Sequence, residues 1–511
     1  MVLSKKAIAS ALDIGSFESS QLSKDGAKVY RSSAVFPCIL SASQNCYLLF
    51  LNYWVIKNKI DPSDLAFKIT IRSEDGRELC VVSISNEFVY RLINLKDVYS
   101  SQRADQATVK GSVEFELISA SNLVFPFPAL TYLIETDGCF SAVHSAGRVK
   151  NQDETTDSSV TIESNWQCRF DSSWTPFFHF FRGQNCTTCK SITVMLHDAN
   201  GVLRESADLS VERIPAYGSR LFYIDEIFNV SEDTNMMDSF ISVMISASDT
   251  YPRMIVGNYH RATNRYEVTH SYPWHDGSDR IEPSTRKVAG IIDAFCGSGV
   301  SLSLRSFPTF GTQSIAPALL NLASSTPVED SREYDAVLNE FLKGMGRLDI
   351  DDFGGRLSLR LGASSFPARV TMSYQFSVSD FEDSNFQTDI SDGLKTNLFK
   401  PRKFIWGHGA VGGGFRTLLF LRALEFTDFR DARESKIVIE LHLFDYSDIL
   451  KKIIELPLNE VVELDITEFL QSRPDSMRFV AWYAIVPDAH CDAFWLAFNS
   501  TNGNIFGDHA F

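Results

Sequence analysis

No stretch of this 511-residue chain runs through the roughly 18 apolar residues that a membrane-spanning helix needs, so no such span is expected. The most apolar run, "CYLLFLNYWVI" at Cys46 to Ile56, has the length of a strand. The opening "MVLSKKAIASALDIGSF" carries two lysines but only a short, diluted apolar run, which makes a poor secretory leader. Basic residues are in deficit, 48 against 64 acidic ones, for a formal charge of −16. A general nucleic-acid binder needs a basic face to displace counterions, so that class is excluded, and adhesion to an anionic membrane is disfavoured. Cysteine is sparse: nine residues, an odd number, scattered along the chain. That does not make a disulfide framework. A reducing, cytoplasmic setting is the default expectation, with export by an unconventional route or assembly into a particle as alternatives.

What is present suits strands. Hydrophobic residues make up 44% of the chain and charged residues 22%, as in a globular protein, and phenylalanine alone occurs 39 times. The length implies several domains at roughly 100–200 residues each. A short acidic-aromatic motif then recurs: "NLKDVY" at Asn94, "YIDEIF" at Tyr223, "VLNEFL" at Val337 and "DITEFL" at Asp465. Asp97, Glu226, Glu340 and Glu468 are separated by 129, 114 and 128 residues, the spacing of tandem domains.

The flanks recur too. Phe67, Ile69 and Ile71, then Ile192, Val194 and Leu196, then Ile437, Ile439, Leu441 and Leu443 recur at every second position, so one face of each strand should be buried and the other wet. Arg72, His197 and His442 fall on the expected wet face. The pattern predicts an all-β chain of four tandem β-sandwich or jelly-roll-like modules with short helical turns, at residues 1–146, 160–274, 288–376 and 396–511. The polar stretches between them read as linkers. The third module reads as degenerate, with one helix, and shows Thr371–Met372–Ser373 where its siblings end on a histidine.

Those closing histidines are His144, His270 and His509, each at the end of a strand and before a small residue. Three histidines around one ion would make a metal centre. Modules in a row hold equivalent positions about a domain diameter apart unless they close into a ring, so the expected role is hydrogen bonding at a strand end. Cys186 and Cys189 form a Cys-x-x-Cys pair for which two free thiols in a hairpin loop is the expectation; a zinc site completed by Cys168 and His179 is the alternative. "WGHGAVGGGF" at Trp406 to Phe415 lacks the Lys-Ser/Thr pair of a phosphate-binding loop, and a close-packed turn is expected there.

Asp293 to Gly299, "DAFCGSG", resembles the glycine-rich loop of S-adenosylmethionine-dependent methyltransferases. The resemblance covers about ten residues and implies a cofactor loop at the end of a first strand, followed by a helix. Here "VSLSLRSF" follows, which alternates like a strand, and no Asp/Asn-Pro-Pro-aromatic motif occurs.

Trp274, Trp406 and Trp495 are candidate ligand-binding rings, together with His144, His270 and His509, because sugar-binding sandwiches use flat aromatic faces. The overall expectation is a non-catalytic binding or scaffold protein with no cofactor and with a glycan or protein partner. The alternatives are a structural subunit of a shell, fibre or surface, and an enzyme with a metal or S-adenosylmethionine site in one diverged module.

Overall fold

A computed structural model of the chain describes residues 30–84, 89–102, 108–119, 128–144, 148–150, 160–183, 190–197, 203–228, 239–246, 254–273, 280–281, 287–288, 300–308, 319–322, 348–352, 357–361, 366–367, 370–378, 387–393, 395–396, 404–424, 436–445, 448–457, 461–470, 474–486 and 490–510. Antiparallel strands dominate the described residues, joined by two short α-helices at Tyr53–Asn58 and Leu95–Gln102. The chain is all-β, arranged as several separate antiparallel sheets.

The sheets follow one plan. Number the strands from Tyr30 to Lys150 in chain order. One sheet runs fourth, third, sixth, first, ninth, and the other fifth, second, seventh, eighth. The strands from Val160 to Pro273 divide in the same way, and the eight described strands from Phe404 to His509 follow the same plan for the first eight positions. Between them, Val300–Pro308, Leu319–Leu322, Val370–Val378 and Gln387–Gly393 build a sheet with the fifth-second-seventh-eighth plan, and a second sheet there has a different order.

Alternation explains the burial. Phe67, Ile69 and Ile71 are at most 1% exposed, as are Ile192, Val194 and Leu196. Across the first sandwich Phe50 lies 4.6 Å from Phe67 and 5.1 Å from Phe115, and Phe36 stacks on Tyr132 at 4.9 Å. Burying each such ring contributes about 1.5–3 kcal/mol. Two of the acidic-aromatic motifs form 3-10 turns, Ile224–Glu226 and Ile466–Phe469, and one begins the helix Leu95–Gln102. Val337–Leu342, read as a helix, lies outside the described residues.

The opposite face departs from expectation. Arg72 is buried, with Nη1 2.7 Å from Glu114 Oε2 and its guanidinium over the Tyr217 ring at 4.7 Å. His197 is fully buried and stacks on Phe240 at 4.6 Å. The second face is therefore not solvated at these positions. For Arg72 the cover comes from the next group of strands, which brings Tyr217 over it and pairs Ser219 N with Glu74 O at 3.0 Å. The His442 side chain is outside the described residues.

The glycine-rich segment is a turn between the strands Phe404–Val411 and Phe415–Leu424. Gly412, Gly413 and Gly414 hold φ of +80°, +57° and +89°, the left-handed region that glycine enters without steric cost. Within the strand, a Cβ on Gly407 would sit 2.7 Å from Trp495 Cδ1 and 2.8 Å from Trp482 Cζ2. Gly407→Ala is expected to cost about 1–3 kcal/mol by overpacking two buried indoles. A urea midpoint equal to that of the parent chain would refute this.

The third group brings two corrections. Thr371–Met372–Ser373 lies on the seventh-type strand Val370–Val378; the counterpart of the histidine-bearing strands is Gln387–Gly393, inside a stretch that reads as a linker. Its sequence "QTDISDG" is too polar to show as a strand. The strand Val300–Pro308 pairs antiparallel with Val370–Val378, so a strand stands where a methyltransferase loop requires a helix. Asp293 to Gly299 themselves lie outside the described residues.

The last strands of the four similarly ordered sheets converge. Cys139–His144 packs against Arg265–His270 and against Ile505–His509, and Gln387–Gly393 packs against both of the latter, closing the circuit.

Candidate functional site

Each converging strand is the last of its sheet, so half of its backbone groups face away from its own ladder. Edge groups of this kind must be covered or paired. Here side chains of the neighbouring strand take them. Phe140 N donates to Asn504 Oδ1 at 3.5 Å, His144 N to Asp508 Oδ2 at 2.6 Å, and Val268 N to Ser141 Oγ at 2.9 Å. Asn504 Nδ2 donates in return to Gly138 O at 3.0 Å.

At the centre of this meeting the structure gathers His144, His270 and His509. One ring nitrogen of each lies within 4.8 Å of the others. The His144 ring is 4.4 Å from His270 and 4.7 Å from His509, edge-to-face, and His270 and His509 are 5.9 Å apart. The expectation that tandem domains keep these residues apart is corrected, because the closed circuit of strands brings the three strand ends to one point. The three are 1–6% exposed.

Asp508 organises the cluster. Its Oδ2 accepts from both His144 N and His144 Nδ1, the latter at 2.8 Å, and its Oδ1 accepts from His509 N at 2.8 Å. Burial pushes the Asp508 carboxyl above the usual carboxylate range, while His509, His270 and the donated N–H groups pull it back. His270 Nδ1 sits 3.0 Å from Ser271 O. A carbonyl and a carboxylate oxygen can only accept, so Nδ1 carries the proton in both His144 and His270. In the neutral rings the lone pair is then on Nε2. Ser271 is held in turn by Met254, whose N–H donates to Ser271 Oγ at 3.1 Å.

The other predicted residues do not assemble. Cys168 is buried among Phe178 and Phe180 in the second core. His179 lies between those two phenylalanines on its strand, so it faces the opposite side of the sheet. Burial holds the His179 imidazole down to about 3. Cys186 and Cys189 lie outside the described residues. Trp406 and Trp495 are 2% and 1% exposed. They fill the interior, where indole burial is most favourable, and offer no flat surface to a sugar. Trp274 lies outside the described residues.

Sequence reasoning missed Asp508 and the pair Thr131 Oγ1 and His408 Nδ1, 2.8 Å apart and 277 positions apart in the chain. The one local signal for Asp508 was its place directly before His509; His144 and His270 follow Val143 and Thr269.

No family model matches the chain, and no curated protein matches it. Among solved structures, a GH78-family rhamnosidase of Bacillus sp. GL1 aligns over 95% of this chain and 53% of its own, at 7% identity and a TM-score of 0.11. The chain thus spans about half the length of that protein, and a likeness at this level carries no argument.

Proposed function

We propose that this chain is a non-catalytic scaffold: tandem β-sandwich units, related by internal duplication, that close around a common axis and present their outer surfaces for binding or assembly. The observation that carries the reading is the closed circuit of four terminal strands with its polar groups sealed inside. An enzyme needs reactive groups that substrate can reach. The one His/Cys/Asp/Glu cluster with metal-ligand spacing among the described residues is buried. The apolar contacts between groups support the same reading. Phe140 lies 5.4 Å from Phe479 and 5.6 Å from Phe506, and Leu49 and Leu133 join the core of the fourth group. A glycan remains one ligand class for the outer surface, although Trp406 and Trp495 do not serve it.

A site-specific protease sequence inserted at residues 151–159 tests the closure. After cleavage the two fragments should co-elute on size exclusion at the mass of the intact chain. Separation into independent fragments would sink the reading. Sedimentation over a hundredfold concentration range then distinguishes a monomeric scaffold from a subunit that builds an assembly.

A further inference from the structure

We infer that His144, His270 and His509 bind a structural divalent transition-metal ion, zinc first, at the point where three groups of strands meet. The donor chemistry selects the class. Three imidazoles suit zinc and its late first-row neighbours, whereas magnesium and calcium require oxygen ligands.

The supporting hydrogen bonds are those of a built site. A metal-binding histidine characteristically donates its second ring N–H to a carboxylate or a backbone carbonyl, which fixes the tautomer and aims the lone pair. His144 does this to Asp508 and His270 to Ser271 O.

The distances fit a small closure. Zinc–nitrogen bonds of about 2.0–2.1 Å in a tetrahedron set the nitrogens about 3.3 Å apart, so a gap of at most 4.8 Å closes by about 1.5 Å or less. Small adjustments of the side-chain torsions, shared among the three histidines, cover that distance.

Three histidines and a vacant fourth position also describe catalytic zinc. Burial decides between the two uses: no substrate reaches side chains this enclosed, so the ion joins strands that lie 126 and 239 positions apart in the chain. Gln387–Gly393 is the strand that completes the circuit around it. The inference rests on three side chains and their partners, and it stands independently of the scaffold reading.

The test uses the full-length chain. The protein is produced with added zinc, dialysed against metal-free buffer and analysed for metal content. A chelator-stripped sample is then titrated with Co2+ alone and its visible spectrum recorded. The expected result is one zinc per chain, the intense visible bands of four-coordinate Co2+, and a fall in thermal midpoint of several degrees on stripping. His270→Gln and His509→Gln should each retain less than a tenth of the metal, while Cys186→Ser keeps all of it. Should the histidine variants fail to fold, the parent chain still decides. Absence of stoichiometric metal together with no Co2+ bands overturns the inference, and so does zinc that survives in both histidine variants or leaves with Cys186→Ser.

Discussion

Replacing Asp508 with alanine should destabilise the fold by about 3–5 kcal/mol, because three buried donors lose their acceptor at about 1–3 kcal/mol each before the site relaxes. The carboxylate accepts three hydrogen bonds, two from His144 and one from His509 N. Alanine leaves all three donors in a site only 4% exposed. Asp508→Asn is the informative companion. Its amide oxygen can still accept from His144, but its NH2 then meets the His509 N–H, donor against donor. The expected loss is about 1–3 kcal/mol, one buried unsatisfied group. Urea unfolding followed by the fluorescence of the buried tryptophans should rank the midpoints as parent, Asn, Ala. An alanine variant within 1 kcal/mol of the parent would show that Asp508 does not hold the strands together.

Mild acid should weaken the protein through two other histidines. His179 and His408 are both buried, and burial alone lowers each from 6.5 to about 3. The sign follows from proton counting. Below pH 6.5 the unfolded chain takes up a proton at each position, and the folded chain does not until about pH 3. Stability is therefore full above pH 6.5 and falls as pH drops toward 3. Between pH 7 and pH 5 the loss is about 2 kcal/mol per residue, about 4 kcal/mol for the pair. Urea midpoints at the two pH values should separate widely for the parent and much less for a His179→Leu/His408→Asn double variant. An unchanged separation in the double variant would refute the assignment.

Some of this was legible in the sequence because it is local. Period-two alternation placed Phe67, Ile69 and Ile71 in the core, and the spacing of the acidic-aromatic motif marked where strands give way to a helical turn. Arg72 and His197 were misread because alternation reports only that a face is not apolar; it does not report what covers that face. Glu114 and Tyr217 make Arg72 an interior residue, and they lie 42 and 145 positions away. The strand Gln387–Gly393 was hidden by its own polarity. The central cluster was the least accessible to reading. The three histidines were visible as a repeated strand ending, but His144 meets Asp508 across 364 positions. Only closure of the circuit makes that distance short.

That closure changes what the loss of one part would mean. In an open row of repeats, an end unit has one neighbour, and its removal leaves the rest nearly as stable as before. A circuit has no ends. Here Cys139–His144, Arg265–His270, Gln387–Gly393 and Ile505–His509 each touch at least two others. Deleting any one group would open two seams at once and expose strand edges on both sides to pairing with other chains. Wear at a single seam therefore endangers the whole, and unfolding should spread around the circle without stopping at a domain boundary.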